Sequence, residues 1–213
     1  MALRFPNGSV IGFSTTTASG GGFTTISNAA DAVTNAAGVD PGDIVIVQSS
    51  GWSGIVNRAT EVGAAGALTG IDTRDLIQFP AGEGAGTLLV AENFVEFSQQ
   101  GDLTTSGGEQ QFWTGAFLED RSGRQIQVPT FKNAKTITLP LYFDPDLPWY
   151  DAAVSVSLKR EPVVLRIRLP DGDTMYRYGY MSFDSDPTMS ANNPMQVTMT
   201  FSSLGEATLV EEV

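Results

Sequence analysis

Paired aspartates are the residues of this sequence with the most obvious chemical potential. Two neighbouring carboxylates can bind a hard cation, or one can act as an acid while the other acts as a base. The pairs are Asp144/Asp146, Asp171/Asp173 and Asp184/Asp186. Each lies beside a proline or glycine in a predicted turn, where aspartate is favoured for hydrogen bonds to the nearby backbone. None continues into a calcium-loop pattern, so we interpret all three pairs as turn residues.

Two glycine-rich stretches resemble catalytic or nucleotide-binding motifs only superficially. The stretch "GEGAGT" at 82–87 precedes a predicted strand rather than a helix, and no lysine follows it. In "SSGWSG", Gly54 follows Ser53 directly, which is not the spacing of a nucleophile elbow. The chain has no histidine and no cysteine, so the commonest general base and the commonest transition-metal ligands are missing. We expect neither an enzyme nor a bound cofactor or metal.

The overall charge narrows the possible partners. The 213 residues carry a formal net charge of −12, which argues against holding nucleic acid through its phosphates. It does not argue against lying beside nucleic acid without binding it. No apolar run is long enough to span a bilayer, and the first thirty residues lack the pattern of a secretion signal. We therefore expect a soluble protein with no membrane partner.

The segments that would position these residues are mostly strands separated by loops. In the first half we expect a strand ending at the triplet Gly20–Gly22, a short helix over 26–37 and a buried strand at "IVIVQ". A hairpin around the turn "GAAG" and a flexible loop at Phe79–Gly86 follow. In the second half we expect a long strand at "TLLVAENFVEFS", a polar excursion over 99–131 and an alternating strand at "AKTITLPLYF".

The last third of the chain has the clearest pattern. Pro148 suits the first turn of a helix that Pro162 closes, with Trp149 on its buried face. Three antiparallel strands follow, two of them joined by the tight turn "PDGD". The elements together predict a mainly β fold with one or two short α-helices and long glycine-rich loops.

Several aromatic residues have two possible roles. Tyr176, Tyr178 and Tyr180 share one face of one predicted strand, which makes them either a second packed sheet surface or a subunit interface. Trp113 lies in a polar segment, where a large aromatic side chain could anchor an interface. The same residues together with Trp52 could instead form a platform on which sugars stack.

The order of several segments resembles the major tail tube proteins of long-tailed, non-contractile bacteriophages of the lambda-like type. The closing segment carries the resemblance most clearly: "REPVVLRIRLPDGDTMYRYGYMSFDSDPTMSANNPMQVTMTFSSLGEAT". Upstream segments that agree are "GDIVIVQSSGWSGIVNRATEV", "TGIDTRDLIQFPAGEGAG" and "SGGEQQFWTGAFLEDRSGRQIQVPTFKNAKTITLPLYFDPDLPWYDA". No single residue is diagnostic, but the likeness covers nearly the whole chain.

The resemblance implies a structural virion protein with an antiparallel β-sandwich or barrel-like tail-tube fold. Its subunits would close into hexameric rings, and the rings would stack into the tube through which DNA leaves the capsid without being bound specifically. The partners would be further copies, the tail tip, the terminator and the tape measure protein, and assembly would take place in the host cytoplasm. We expect a single domain over 1–213, with a loop-rich insertion containing a hairpin at 19–86 and no separate C-terminal immunoglobulin-like domain.

The family's general plan and the loop aromatics together suggest which residues meet other copies. The expected subunit interface consists of Phe112, Trp113, Phe117, Arg121, Arg124, Tyr176, Tyr178 and Tyr180. The expected acidic residues facing the lumen are Glu92, Glu96, Asp184 and Asp186. Two alternatives remain open from the sequence: a monomeric carbohydrate-binding or adhesive β-sandwich, and a related tube-fold protein such as a tail terminator.

Overall fold

The computed structural model describes residues 6–116 and 124–212. This part of the chain contains fourteen strands and one α-helix, in the following order: β1 (Val10–Phe23), β2 (Ala32–Val33), β3 (Ile44–Ser50), β4 (Ala59–Glu61), β5 (Ala67–Leu68), β6 (Gly86–Glu96), β7 (Thr104–Ser106), β8 (Gln110–Gly115), β9 (Ile126–Lys132), β10 (Thr136–Tyr142), α1 (Pro148–Lys159), β11 (Pro162–Arg168), β12 (Thr174–Thr188), β13 (Gln196–Ser203) and β14 (Thr208–Val210).

Ten of these strands form one antiparallel sheet that curls into a half-barrel. The strand order is β4-β3-β6-β1-β11-β12-β13-β10-β7, and β14 pairs with the first part of β12. The predicted hairpin at "PDGD" joins β11 to β12, with Arg168 opposite Thr174. The mainly β, antiparallel fold expected from the alternating segments is confirmed.

Helix α1 covers one face of the sheet. Pro148 begins the helix at a position where its missing N–H costs nothing, and Arg160 ends it in the left-handed conformation. Trp149, Ala153 and Val156 form the buried stripe of the helix. They pack on apolar residues that alternate along the sheet strands, so the predicted helix and its buried face are confirmed.

The expected helix over 26–37 is absent, and this prediction was wrong. The segment instead contains β2 and an isolated bridge between Ile26 and Thr34. Its polar side chains bind the backbone in competition with helical hydrogen bonds. Asn35 Oδ1 accepts from the N–H groups of Thr24 and Thr25, at 2.9 and 3.1 Å. The helical spacing of the apolar residues therefore did not decide the local structure.

Two other boundaries also differ from the sequence expectation. Strand β1 does not end at the glycine triplet but continues through it, with a register shift between Ser19 and Gly22. Gly20 lies against Leu88 and Val39, where a larger side chain would be crowded. The polar excursion over 99–131 contains β7, which joins the edge of the main sheet, and β8 and β9, which pair only with each other.

Residues between β1 and β6 surround a second apolar cluster. Trp52 and Phe79 lie at its centre, with their ring centroids 5.5 Å apart. The loop at 79–86 is irregular, and the indole N–H of Trp52 donates to the carbonyl oxygen of Pro80 at 2.9 Å. The chain reverses at Gly63–Gly66, and an antiparallel bridge between Val62 and Leu68 closes the predicted hairpin, while β4 also pairs with β3 and β5 with β2. This cluster lies at one end of the curled sheet.

Candidate lumen face and assembly surfaces

Three neighbouring strands of the sheet, β12, β13 and β10, have one apolar face and one polar face, and the hydroxyl residues of β7 extend the polar face at the edge. In β12 and β13, Met181 lies opposite Phe201 and Phe183 opposite Met199, and these side chains pack under helix α1. The residues between them point to the other side of the sheet. Thr200 lies opposite both Ser182 of β12 and Thr138 of β10. The alternation thus separates a core from a second, polar surface.

We call this second surface the hydroxyl-rich face. Its members are exposed or half-buried, and by the strand register they are Thr104, Ser106, Thr136, Thr138, Pro140, Tyr142, Tyr180, Ser182, Asp184, Gln196, Thr198, Thr200 and Ser202. The set contains one carboxylate and no lysine or arginine. Such a surface offers hydrogen bonds to water but no cation that could neutralise a phosphate.

The four acidic residues suggested by the sequence fall in two separate places. Asp184 belongs to the hydroxyl-rich face, and Asp186 follows it, with its backbone N–H donating to Asp184 Oδ1 at 3.1 Å. Glu92 and Glu96 lie on β6, which β1 and β11 separate from β12. Glu96 is paired with Arg166, whose Nη2 lies 3.1 Å from the carboxylate. Within one chain, therefore, the four do not form one acidic surface.

The three aspartate pairs do not gather further acidic side chains around them. In the part of the chain that the structure describes, no group of three or more histidine, cysteine, aspartate or glutamate residues is arranged so that it could hold a metal ion. Asp144 accepts from the backbone N–H of Asp146 at 3.2 Å, which is the expected turn interaction. Asp173 is buried and accepts from the N–H of Glu212 at 3.1 Å. The turn interpretation is wrong for the pair Asp184/Asp186, since both residues lie inside β12.

The tyrosine row divides between the core and the surface. Tyr176 and Tyr178 are buried in a third apolar cluster that includes Ile46. The hydroxyl of Tyr176 donates to Glu61 Oε2 at 3.0 Å, and burial together with this carboxylate raises the pKa of the phenol. Burial also raises the pKa of Tyr178. Tyr180 is exposed, so it is the member of the row that a neighbouring molecule can reach.

Strands β8 and β9 form a two-stranded hairpin, which we call the arm. All seven residues of β9 are exposed. Large apolar side chains are exposed on both strands: Phe112, Trp113, Ile126, Val128 and Phe131. By the strand register, Trp113 and Val128 share one face of the hairpin and Phe112 lies on the other. An isolated hairpin is marginally stable in water, so exposed apolar side chains on it favour a contact surface. Of the other expected interface residues, Arg124 lies two residues before the start of β9, whereas Phe117 and Arg121 lie outside the described residues.

The structure also bears on the aromatic platform considered for sugar binding. Trp52 is buried beneath the loop at 79–86, so its ring has no free face. Trp149 is likewise buried, and its indole N–H donates to Ser98 Oγ at 3.2 Å. Trp113 is the tryptophan with an exposed ring, and it lies on the arm, far along the chain from Trp52. The three tryptophans therefore do not form one stacking surface.

One exposed apolar pair was missed at the level of sequence. Leu76 and Ile77 lie on a turn between β5 and β6, and both are strongly exposed. The only signal in the sequence was two adjacent aliphatic residues inside a segment with charged neighbours.

No helix in the described part of the chain has the length and apolar character needed to cross a membrane.

A family model describes most of this chain. The model of the phage tail tube protein family, TTP, matches residues 50–212. The chain belongs to this family. It is therefore a structural tail protein, and the family likeness noted in the closing segment is confirmed. No curated protein matches the chain significantly.

Two solved structures similar to this tail tube protein come from gene transfer agent particles. The first is described as "Virion of native gene transfer agent (GTA) particle", with 16% identity, a TM-score of 0.41, and coverage of 55% of this chain and 89% of that chain. The second is "Tail of empty GTA particle computed with helical refinement, C6 symmetry", with 16% identity, a TM-score of 0.42, and coverage of 56% and 88%.

Proposed function

We propose that this tail tube protein closes into hexameric rings, and that the rings stack into a hollow tube whose lumen is lined by the hydroxyl-rich face. The observation that carries the proposal is the face itself. Four adjacent strands turn a polar surface away from helix α1, and no layer formed by residues 6–116 or 124–212 covers it. A sheet with one face on its core and one in water suits the wall of a water-filled conduit.

The charge of the face suits the passage of DNA. Its residues include Asp184 but no basic side chain, so DNA phosphates would meet hydroxyls and like charge rather than counterions. Each further copy adds its own net charge of −12 to the tube. We infer that DNA slides along this surface during ejection without being retained, and that Asp184 and Asp186 contribute the acidic character near the lumen. Glu92 and Glu96, which lie on β6, remain candidates for further acidic residues that face the lumen.

Ring closure would remove the free edges of the sheet. Among the described strands, β7 pairs with β10 alone, which leaves the hydrogen-bonding groups of its outer edge available within that part of the chain. The opposite edge strand, β4, pairs with β3. Exposed strand edges favour pairing with another chain, and a closed barrel has none. Extension of the sheet from one copy to the next would therefore stabilise a ring.

The arm supplies the second contact. We propose that Phe112, Trp113 and the apolar side chains of β9 pack on a neighbouring copy, and that Phe117, Arg121 and Arg124 also take part in the interface. Burying such aromatic side chains is the usual source of binding energy in protein interfaces. Tyr180 joins the contact from the sheet, whereas Tyr176 and Tyr178 serve the chain's own core. The tail tip, the terminator and the tape measure protein would meet the tube at its ends and in its lumen, after assembly in the host cytoplasm.

Negative-stain electron microscopy of the purified protein, held concentrated for several days, tests the proposal. Rings or tubes of uniform bore are the expected result. Persistent monomers that bind a glycan resin would instead favour an adhesive module, and rings that never stack would favour a terminator. A variant with Trp113→Asp is the matched control, since it should keep the monomer fold and lose the assembly.

A further inference from the structure

A short turn between β5 and β6 is held at both ends by one side chain. Asn28 Nδ2 donates to the carbonyl oxygens of Thr73 and Phe79, at 2.9 and 2.8 Å. The N–H of Phe79 donates to the carbonyl oxygen of Asp75 at 2.8 Å, which closes the turn internally. The Phe79 ring is buried against Trp52. The residues between Thr73 and Phe79 are therefore presented on a fixed base.

The turn carries two of the most exposed aliphatic side chains of the molecule. Leu76 is 61% exposed and Ile77 is 92% exposed. The N–H of Ile77 donates to Asp75 Oδ1 at 3.0 Å, so the backbone at the top of the turn is also held. Single exposed apolar residues are ordinary. An adjacent pair on a turn fixed at three points is a preformed projection, which we call the knob (Leu76 and Ile77).

The surroundings of the knob are acidic. Asp72 is paired with Arg74, and hydrogen bonds from this arginine lower the pKa of Asp72 to about 2, so the pair is ionised but neutral overall. The net negative charge of this segment therefore comes from Asp75 and Glu83. A partner surface for the knob should therefore combine an apolar contact with positive charge.

The C-terminal end of helix α1 has that combination. Leu158 is 77% exposed, and Lys159 and Arg160, which directly follow it, are exposed as well. The helix end borders a shallow depression lined by Thr15, Thr16, Thr17, Val156, Lys159, Glu161, Pro162 and Val163. Glu161 offsets one of the two cations, so the helix end offers an exposed leucine beside a net positive charge, in a chain with twice as many acidic as basic residues.

We propose that the knob of one copy docks against the C-terminal end of helix α1 of a second copy, with Ile77 at the depression and Leu158 beside it. This inference rests on the proposed self-assembly. The turn that carries the knob is anchored on the Trp52 cluster through Phe79, whereas helix α1 packs on the main sheet, so the two surfaces belong to different parts of one chain. Because they differ, the contact can propagate from copy to copy as a heterologous contact, which a ring or a stack of rings requires.

Cysteine cross-linking tests the contact directly, because the chain contains no cysteine of its own. Ile77→Cys and Leu158→Cys are made in separate chains, mixed under assembly conditions and oxidised. The proposal expects covalent dimers in the mixture well above those in either variant alone, since a disulfide needs Cα atoms within about 7 Å. The control mixture pairs Ile77→Cys with Met189→Cys, which is also strongly exposed. Equal cross-linking in both mixtures, or stronger cross-linking to Trp113→Cys, would overturn the docking.

A second measurement separates this inference from the proposed function. Ile77→Asp should raise the protein concentration needed for assembly about tenfold, the change that corresponds to losing one buried aliphatic side chain. Ile77→Val should assemble within about twofold of the unaltered protein, and neither variant should melt earlier, since the side chain is exposed. If the unaltered protein assembles and Ile77→Asp assembles equally well, the docking is refuted alone. If the unaltered protein never assembles, both ideas fail together.

Discussion

Trp149 and Trp113 allow the stability of the fold to be separated from the ability to assemble. Trp149 is 1% exposed, and its ring lies 5.7 Å from Phe97 and 6.0 Å from Phe183 between centroids. Trp113 is 49% exposed on the arm. If the arm is an interface, then Trp149→Ala should destabilise the monomer, whereas Trp113→Ala should leave the monomer intact and impair assembly.

The magnitudes follow from burial. Trp149→Ala removes a fully enclosed ring and should cost about 3–5 kcal/mol of unfolding free energy. For a domain of this size that loss corresponds to a melting temperature lower by about 6–20 °C. Trp149→Phe keeps a ring in place and loses the hydrogen bond to Ser98, so it should cost about 1–2 kcal/mol. This milder variant keeps the test informative if Trp149→Ala does not fold.

Trp113→Ala should change the unfolding free energy by less than about 0.5 kcal/mol, as exposed substitutions usually do. Its effect on assembly should be larger, since an interface tryptophan typically contributes about 2 kcal/mol or more, or about thirtyfold in the concentration at which assembly begins. Urea denaturation of the monomer and sedimentation of the assembled form measure the two quantities. A Trp113→Ala monomer destabilised by more than about 2 kcal/mol, or one that assembles normally, would refute the reasoning.

Three further substitutions test other parts of the account. Ser14→Ala removes the hydroxyl that accepts from the buried N–H of Val164 at 2.9 Å, and leaving that group unpaired should cost about 1–3 kcal/mol in urea denaturation. Gly84→Ala should cost about 1–3 kcal/mol, because the added methyl group would overlap Ile26. Thr200→Lys places a cation on the hydroxyl-rich face, so assembled tubes should retain DNA at low salt and release it as salt rises.

Each of these has a clear contrary result. A Ser14→Ala protein as stable as the unaltered one would mean that Val164 finds another acceptor. An unchanged Gly84→Ala protein would mean that the loop is not packed on the second cluster. If unaltered tubes bind DNA as strongly as Thr200→Lys tubes, the hydroxyl-rich face does not line the lumen.

The elements that could be predicted from the sequence are those whose local signals agree with their packing. Helix α1 has a proline at its first turn and a buried stripe at helical spacing, and it packs where that stripe requires. Strands β11 to β13 alternate and are joined by a turn that favours a hairpin. In β13 the threonines alternate with the apolar residues, so the same sequence pattern also predicts this strand's part of the hydroxyl-rich face.

The elements that could not be predicted depend on contacts between distant parts of the chain. The segment 26–37 has helical spacing, but its structure follows from hydrogen bonds made by Asn28 and Asn35 with other segments. The burial of Tyr176 and the exposure of Tyr180, four residues later on the same strand, follow from which strands cover each end of β12. The strands of the arm were not predicted, because neither strand has a buried face that would mark it in the sequence.

The same reason explains why the knob was missed. Leu76 and Ile77 are exposed only because Asn28 fixes the turn and Phe79 occupies the nearby core. From the sequence alone, two adjacent aliphatic residues can be assigned to a buried strand as easily as to an exposed turn. Exposure of this kind is a property of the folded chain rather than of its local pattern.

A cryo-electron microscopy reconstruction of the assembled protein tests the central claim most directly. The account predicts a hollow tube in which the strands β12, β13 and β10 line the bore, with Thr200 facing the lumen and helix α1 on the outer side of the sheet. A tube with helix α1 facing the lumen, or with the hydroxyl-rich face buried between copies, would contradict it.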